Sequence, residues 1–263
     1  MKKIDLFKVF MAPTAAEEVT KVINSGYIGQ GPKVNELEDM MKTHFNHDYV
    51  STVNAGTSAL HLALHLLKKP SINQVVYEGV IGYDSKWPGL QEGDEVLATP
   101  LTCTASNWPV LANNLKIKWV DIDPETLNMD LDDLARKITP KTKVIIPVHI
   151  FGQCANMDAI MELAEAHNLF VIEDNAQAIG ATYTSENGSK AKAGTIGHVA
   201  STSFFPSKNL GCYGDGGAIF TNDDDLAHTI RGIVNHGMYK RYHHDVVGVN
   251  SRLDSIQAAV LDS

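Results

Sequence analysis

Strand-length apolar stretches alternate with helix-length amphipathic ones along most of this chain. Strands buried on both faces read as continuous apolar runs, and Val144-Ile145-Ile146 is one. The pattern predicts strands over Tyr49–Val53, Glu95–Thr99, Ile117–Val120, Lys143–Val148, Phe170–Glu173, Val199–Ser203 and Gly217–Thr221. It predicts helices over Thr14–Asn24, Lys33–Phe45, Ser58–Leu67, Ala105–Asn113, Leu131–Ile138, Met157–His167, Asp225–Asn235 and Ser251–Leu261. Such alternation argues for an α/β fold, a mostly parallel sheet with helices on both faces. Ligands of such sheets gather at the carboxyl ends of the strands. Asp174 falls at one of these ends.

Some segments depart from the alternation. Lys68 to Gly93 carries Pro70, Gly79, Gly82, Pro88 and Gly89. Connections of that length inside a compact domain are usually functional or disordered. The stretch, about residues 69–93, reads as an insertion making a surface excursion, with Tyr83 and Trp87 as candidates to lie over a substrate. Asp223-Asp224-Asp225 precedes a predicted helix, where negative charge at the N-terminus is favoured. The chain stops at Leu261-Asp262-Ser263, within a helix-like segment.

With 263 residues, 44% hydrophobic and 20% charged, the chain suffices for one large globular domain, read as 1–263 with an N-terminal segment 1–30. A formal net charge of −9 argues against nucleic acid as a partner, since backbone phosphates call for a basic face. It leaves room for an anionic small ligand held by local groups. Cys103, Cys154 and Cys212 are odd in number and form no CxxC pair, which reads as reduced thiols in a cytoplasmic protein. No apolar run approaches a membrane span, so no membrane partner is expected. His236, His243, His244 and Asp245 offer potential metal ligands, but no zinc spacing such as HExxH is present. A solvated loop or substrate contacts is the expected role there, and no metal site is predicted.

The chemistry centres on Lys208, in Ser203-Phe204-Phe205-Pro206-Ser207-Lys208-Asn209-Leu210, with the glycine-rich Gly211 to Gly217 behind it. Upstream, Leu169-Phe170-Val171-Ile172 delivers Glu173-Asp174. An acid at a strand end and a lysine on a later loop are what pyridoxal 5'-phosphate (PLP) needs. The amine forms a Schiff base with the aldehyde, and the carboxylate keeps the ring nitrogen protonated so that the ring acts as an electron sink. A third element, Val53-Asn54-Ala55-Gly56-Thr57-Ser58, opens a predicted helix. Gly56 permits a tight turn, and Thr57 and Ser58 sit where free N–H groups and the helix dipole favour an anion. Each element alone reads equally as a surface lysine, a strand-end acid or a simple N-cap.

Together these segments resemble the DegT/DnrJ/EryC1/StrS family of PLP-dependent sugar aminotransferases. The resemblance runs from Gly26-Tyr27-Ile28-Gly29-Gln30-Gly31-Pro32 to Asn250-Ser251-Arg252-Leu253-Asp254-Ser255-Ile256-Gln257-Ala258-Ala259, in the family's order. It implies the large domain of a fold-type I PLP-dependent aminotransferase, with the family's smaller C-terminal domain missing from this chain. It assigns Thr57, Ser58 and the Ser203 hydroxyl to the cofactor phosphate, and Gln177 to the neighbourhood of the ring's phenolic oxygen. It assigns Asn250 to the phosphate of a neighbouring subunit, and so implies a homodimer with shared sites. The family usually stacks an aromatic residue on the ring two or three residues after the proline matched by Pro100. Cys103 holds that place here and offers a small, soft thiol, while Trp108 lies too far along to replace the ring. The implied reaction moves an amino group from an amino-acid donor, glutamate, to a keto sugar, expected to be nucleotide-linked. Lys208 shuttles the proton between the donor's α-carbon and the cofactor's C4′ in a ping-pong scheme. Two alternatives stay open. One is the family's dehydratase branch, whose members carry histidine at the position of Lys208. The other is an inactive or truncated PLP-fold protein, which Cys103 and the missing domain favour.

Overall fold

From the amino terminus, α1 (Ala15–Ser25) and α2 (Pro32–Phe45) precede β1 (Tyr49–Val53) and α3 (Gly56–Leu66). A hairpin of β2 (Ser71–Tyr77) and β3 (Val80–Trp87) leads to β4 (Glu95–Ala98), α4 (Thr104–Ala112), β5 (Lys116–Trp119), α5 (Leu131–Lys137) and β6 (Thr142–Ile146). Then come α6 (Met157–His167), β7 (Phe170–Asp174), the short pair β8 (Thr182–Thr184) and β9 (Lys190–Lys192), and β10 (Val199–Ser203) with β11 (Gly217–Thr221). The chain closes with α7 (Asp224–Ile233), the pair β12 (Met238–Lys240) and β13 (His243–His244), and α8 (Ser255–Leu261). The computed structural model describes residues 4, 5, 7–69, 71–77 and 80–263, without the side chains of 71–86.

Seven strands form the central sheet in the order β1-β11-β10-β7-β6-β4-β5. The four pairings from β10 to β5 are parallel, and β11 runs antiparallel to both its neighbours. Successive residues of each strand point to opposite faces. Ile219, Val199, Ile172, Val144, Ile146 and Val96 share one core cluster with apolar residues of α3 and α7. Their strand neighbours pack on the other face. Phe220 and Ala200 meet α2 and α8, while Val171, Ile145 and Leu97 meet α5 and α6. The predicted α/β sheet with helices on both faces is the fold observed.

The helix ends follow local chemistry. Pro32 opens α2, where its missing N–H costs nothing. Asp130, Asn156 and Asp223 each accept a hydrogen bond from the amide three residues on, capping α5, α6 and α7. The acidic triplet thus supplies both the cap and the first turn of α7. The last helix starts at Ser255, four residues later than periodicity predicts. Residues before it are already engaged: Asn250 pairs with Asn235, Ser251 donates its N–H to Val234, and the Ser251 carbonyl accepts from Asn54.

Residues 71–77 and 80–87 of the expected insertion pair as an antiparallel hairpin. The reading of Trp87 as a residue lying over a substrate needs correction. Trp87, at the end of the hairpin, is a core residue and not a substrate lid. It is 7% exposed, its ring lies 5.4 Å from that of Phe170, and its indole N–H donates to the Leu67 carbonyl at 2.7 Å. The Tyr83 side chain and residues Pro70 and Gly79 lie outside the described residues.

Candidate active site

Val53, Gly217 and Ser203 align across β1, β11 and β10, so the turn into α3 leaves the sheet directly beside the end of β10. The approach is too close for side chains. A Cβ on Gly217 would lie 2.6 Å from the Gly56 nitrogen, and one on Gly56 would lie 2.6 Å from the Ser203 Cβ. These glycines let the N-terminus of α3 press against Ser203. Ala55, the N-cap, is extended, and no side chain caps the helix. The amides of its first turn, with the helix dipole behind them, remain available to an anion.

Asp174 ends β7, beside Ser201 of β10 and Val148 beyond β6. It is 4% exposed. Its Oδ2 accepts a hydrogen bond from Ser106 Oγ at 2.6 Å and its Oδ1 accepts from the Ala176 amide at 3.1 Å. Glu173, one residue earlier, points to the opposite face, where it is fully buried. There it meets His149 Nε2 at 2.7 Å and accepts from the amides of Gly194, Ile196 and Gly197. The Ala155 amide donates to His149 Nδ1, which puts the ring proton on Nε2, towards Glu173. Burial works against the Glu173 charge, but the His149 and amide hydrogen bonds more than offset it and hold the carboxyl below its ordinary range. The pair braces the residue next to Asp174.

Lys208 lies five residues beyond β10, in a turn closed by its amide donating to the Phe205 carbonyl at 2.8 Å. It is half-buried, and no acid or hydrogen-bond acceptor among the described residues engages its amine. Gln177 uses its Oε1 to accept from the Phe151 amide at 2.8 Å, which leaves its NH₂ for a ligand. Ser203 Oγ accepts from the Phe205 amide, so its own hydrogen is free to donate.

Gly56, Thr57, Cys103, Asp174, Gln177, Ser203 and Lys208 all border one cavity of about 380 Å³. Ligand cavities of about 300–1,000 Å³ are usual. Two predicted residues are not on its wall. Ser58 lies half-buried one residue further into α3, and Asn250 is exposed. Asn250 does not open a helix, because α8 starts at Ser255. Cys103 is exposed at the cavity mouth as the N-cap of α4. Trp108 turns away and stacks on His61 at 5.6 Å. Cys212 is buried, and burial pushes its thiol up to about 11. His243 and His244 form the exposed strand β13. Among the described residues no three His, Cys, Asp or Glu side chains gather where they could hold a metal. No described helix is long and apolar enough to cross a membrane.

Sequence reasoning missed Ser106, Thr102 and the His149–Glu173 pair. Thr102 stands just before α4 and Ser106 in its first turn, and their hydroxyls meet at 2.6 Å. Only the order of β4, β6 and β7 in the sheet brings that turn to Asp174.

Residues 11–263 match the profile of the DegT/DnrJ/EryC1/StrS aminotransferase family. The chain is 44% identical over 243 residues to UDP-2-acetamido-2-deoxy-3-oxo-D-glucuronate aminotransferase of Pseudomonas aeruginosa, covering 92% of this chain and 60% of that protein. It is 38% identical to dTDP-3-amino-3,4,6-trideoxy-alpha-D-glucose transaminase of Streptomyces venezuelae, over 92% of this chain and 57% of that one. The crystal structure of S. venezuelae DesV in complex with a ketimine intermediate superposes with a TM-score of 0.81 at 36% identity, over 94% of this chain and 60% of DesV. The chain therefore spans about 60% of the length of the relatives it matches. Since the match takes in almost every described element, both core faces and the whole cavity wall, the chain belongs to the DegT/DnrJ/EryC1/StrS aminotransferase family.

Proposed function

We propose that this chain is the cofactor-binding part of a PLP-dependent aminotransferase that moves an amino group, with glutamate as donor, to a nucleotide-linked keto sugar. The observation that carries the reading is the convergence of a lysine amine that no described residue engages, a buried strand-end carboxylate and an uncapped helix N-terminus on one cavity. That donor set fits PLP: an amine for the aldehyde, an acid for the ring nitrogen, and free amides with the Ser203 hydroxyl for the phosphate. Its relatives named above, a sugar aminotransferase and a sugar transaminase, support the substrate class.

Bound there, the cofactor supplies an electron sink for the pair left on the amine-bearing carbon. Asp174 holds the proton at the ring nitrogen. Gly56, Thr57 and Ser203 anchor the phosphate at the α3 terminus. Gln177 NH₂ donates towards the phenolic oxygen. Lys208 Nζ would hold the cofactor's aldehyde carbon and would serve as the base that takes the proton from the donor's α-carbon. Cys103 places a thiol, not an aromatic ring, at its point on the cavity wall. The dehydratase chemistry of the family calls for histidine at position 208, where this chain has lysine. We further assign the protein to the cytoplasm, on its three free cysteines, and to a homodimer in which Asn250 reaches the partner's phosphate. The exposure of Asn250, away from its own cavity, suits that role.

Borohydride reduction of the PLP-loaded protein followed by peptide mapping is expected to find the cofactor on Lys208. Lys208→Ala is expected to lose the visible absorbance band and turnover while remaining folded. Label on another lysine, or full turnover in Lys208→Ala, would overturn the assignment.

A further inference from the structure

Ser106 stands in the first turn of α4, 2% exposed. Its Oγ lies 2.6 Å from Asp174 Oδ2 and 2.6 Å from Thr102 Oγ1. A hydroxyl has one hydrogen and an ionised carboxylate has none. The Ser106 hydrogen therefore goes to Asp174, and Thr102 must supply its own hydrogen to Ser106. The two contacts form a directed relay, from Thr102 through Ser106 to Asp174.

Asp174 depends on it. No cation pairs with this carboxylate among the described residues, although it is almost fully buried. An unpaired buried charge is costly unless hydrogen bonds satisfy it. Its protein donors are the Ser106 hydroxyl and the Ala176 amide, one to each oxygen. The Ser106 bond is short and charge-assisted, the strong kind, and a hydroxyl that itself accepts a hydrogen bond donates more strongly. Both hydroxyl residues border the cavity, so a bound ligand would exclude the water that could replace them.

We propose that Thr102 and Ser106 are positioning residues that keep Asp174 ionised and aimed at the cofactor's ring nitrogen. The proposal rests on the reading that Asp174 partners that nitrogen. It assigns Ser106 a role distinct from packing α4 against β7, which an apolar residue of the same size would also serve.

The test uses the protein loaded with PLP carrying ¹⁵N at the pyridine nitrogen, whose resonance reports directly whether that nitrogen holds a proton. The pH at which the proton is lost is measured for the parent, Ser106→Ala, Ser106→Thr, Thr102→Val, the Ser106→Ala/Thr102→Val double variant and Asp174→Asn. Ser106→Ala is expected to raise that pH by up to about one unit, because a carboxylate that loses a charge-assisted donor is a stronger base and holds the shared proton more tightly. Thr102→Val is expected to raise it less. The double variant should match Ser106→Ala, because Thr102 acts only through Ser106. Ser106→Thr, which keeps the hydroxyl, should match the parent. A Ser106→Ala protein with a changed thermal midpoint but the parent's nitrogen titration would overturn the relay. If Ser106→Ala does not fold, a parent-like titration in Thr102→Val overturns it. Should Asp174→Asn also titrate like the parent, the partner of the nitrogen is not Asp174, and the underlying reading falls rather than the relay alone.

Discussion

At position 174 the charge of the side chain acts separately from its shape. Asparagine has nearly the same outline and could keep the Ala176 amide bonded through its carbonyl oxygen. What it cannot do is hold a proton on a ring nitrogen. Asp174→Asn is therefore expected to lower the rate by on the order of a hundredfold to a thousandfold, the range for one preorganised electrostatic group. The phosphate anchor at Gly56, Thr57 and Ser203 is untouched, so cofactor retention should fall far less. Parallel measurement of turnover and of PLP released on dialysis separates the two, and equal rates for variant and parent would remove Asp174 from the mechanism. Position 173, by contrast, is turned away from the cavity by strand alternation alone.

The element that most depends on a single interaction is the end of β7. His149 follows β6, Glu173 lies in β7, and their contact ties the two where the cavity begins. Glu173 titrates below its ordinary range, so its contribution to stability is complete above the unfolded carboxyl value and is lost as pH falls through the lowered folded value. Asp133, with its carboxyl down to about 2 through the Asp121 amide and Lys137, adds in the same direction between about pH 4 and about 2. His149→Ala removes one donor, raises the folded Glu173 value and should move the acid-unfolding limb to higher pH. Losing this buried charge-assisted hydrogen bond should cost about 1.5–3 kcal/mol at neutral pH. Urea unfolding at several pH values checks this, and an unmoved acid limb would mean that the amides alone hold the charge. The hairpin is the second element with a definite expectation. Trp87→Phe should cost about 1 kcal/mol, because the Leu67 carbonyl still accepts from the Leu90 amide. Cofactor and substrate affinity should stay at the parent value, whereas a lid residue would change them.

For the whole molecule the expectation concerns assembly. If Asn250 reaches the partner's phosphate, cofactor affinity is linked to dimerisation and should fall on dilution. Asn250→Ala should weaken PLP binding about tenfold or more, the worth of a charge-assisted hydrogen bond of roughly 1.5–3 kcal/mol. The visible band of the loaded protein should keep its position. Sedimentation of the parent and variant with PLP titration tests both statements. A monomer that binds PLP tightly would leave Asn250 as a loop residue paired through its backbone to Asn235.

Much of this was legible in the sequence, because it depends on neighbours along the chain. The seven sheet strands and their helices follow from apolar periodicity, a property of each segment's own faces. The acidic cap of α7 and the proline start of α2 are equally local. Asp174 and the Gly56 turn could be singled out because each sits at a recognisable strand or helix boundary, and Lys208 because of the residues around it along the chain. Tertiary structure alone decided what meets across the sheet. The antiparallel course of β11 sets Gly217 against Gly56. Trp87 belongs to the core because β3 delivers it to Phe170 of β7, a partner eighty-three residues away along the chain. The hydroxyls of Thr102 and Ser106 gain their meaning from Asp174, sixty-eight residues beyond Ser106, through a strand order that no local pattern encodes. Periodicity reports which face of a segment is buried, and only the packed sheet reports what that face touches.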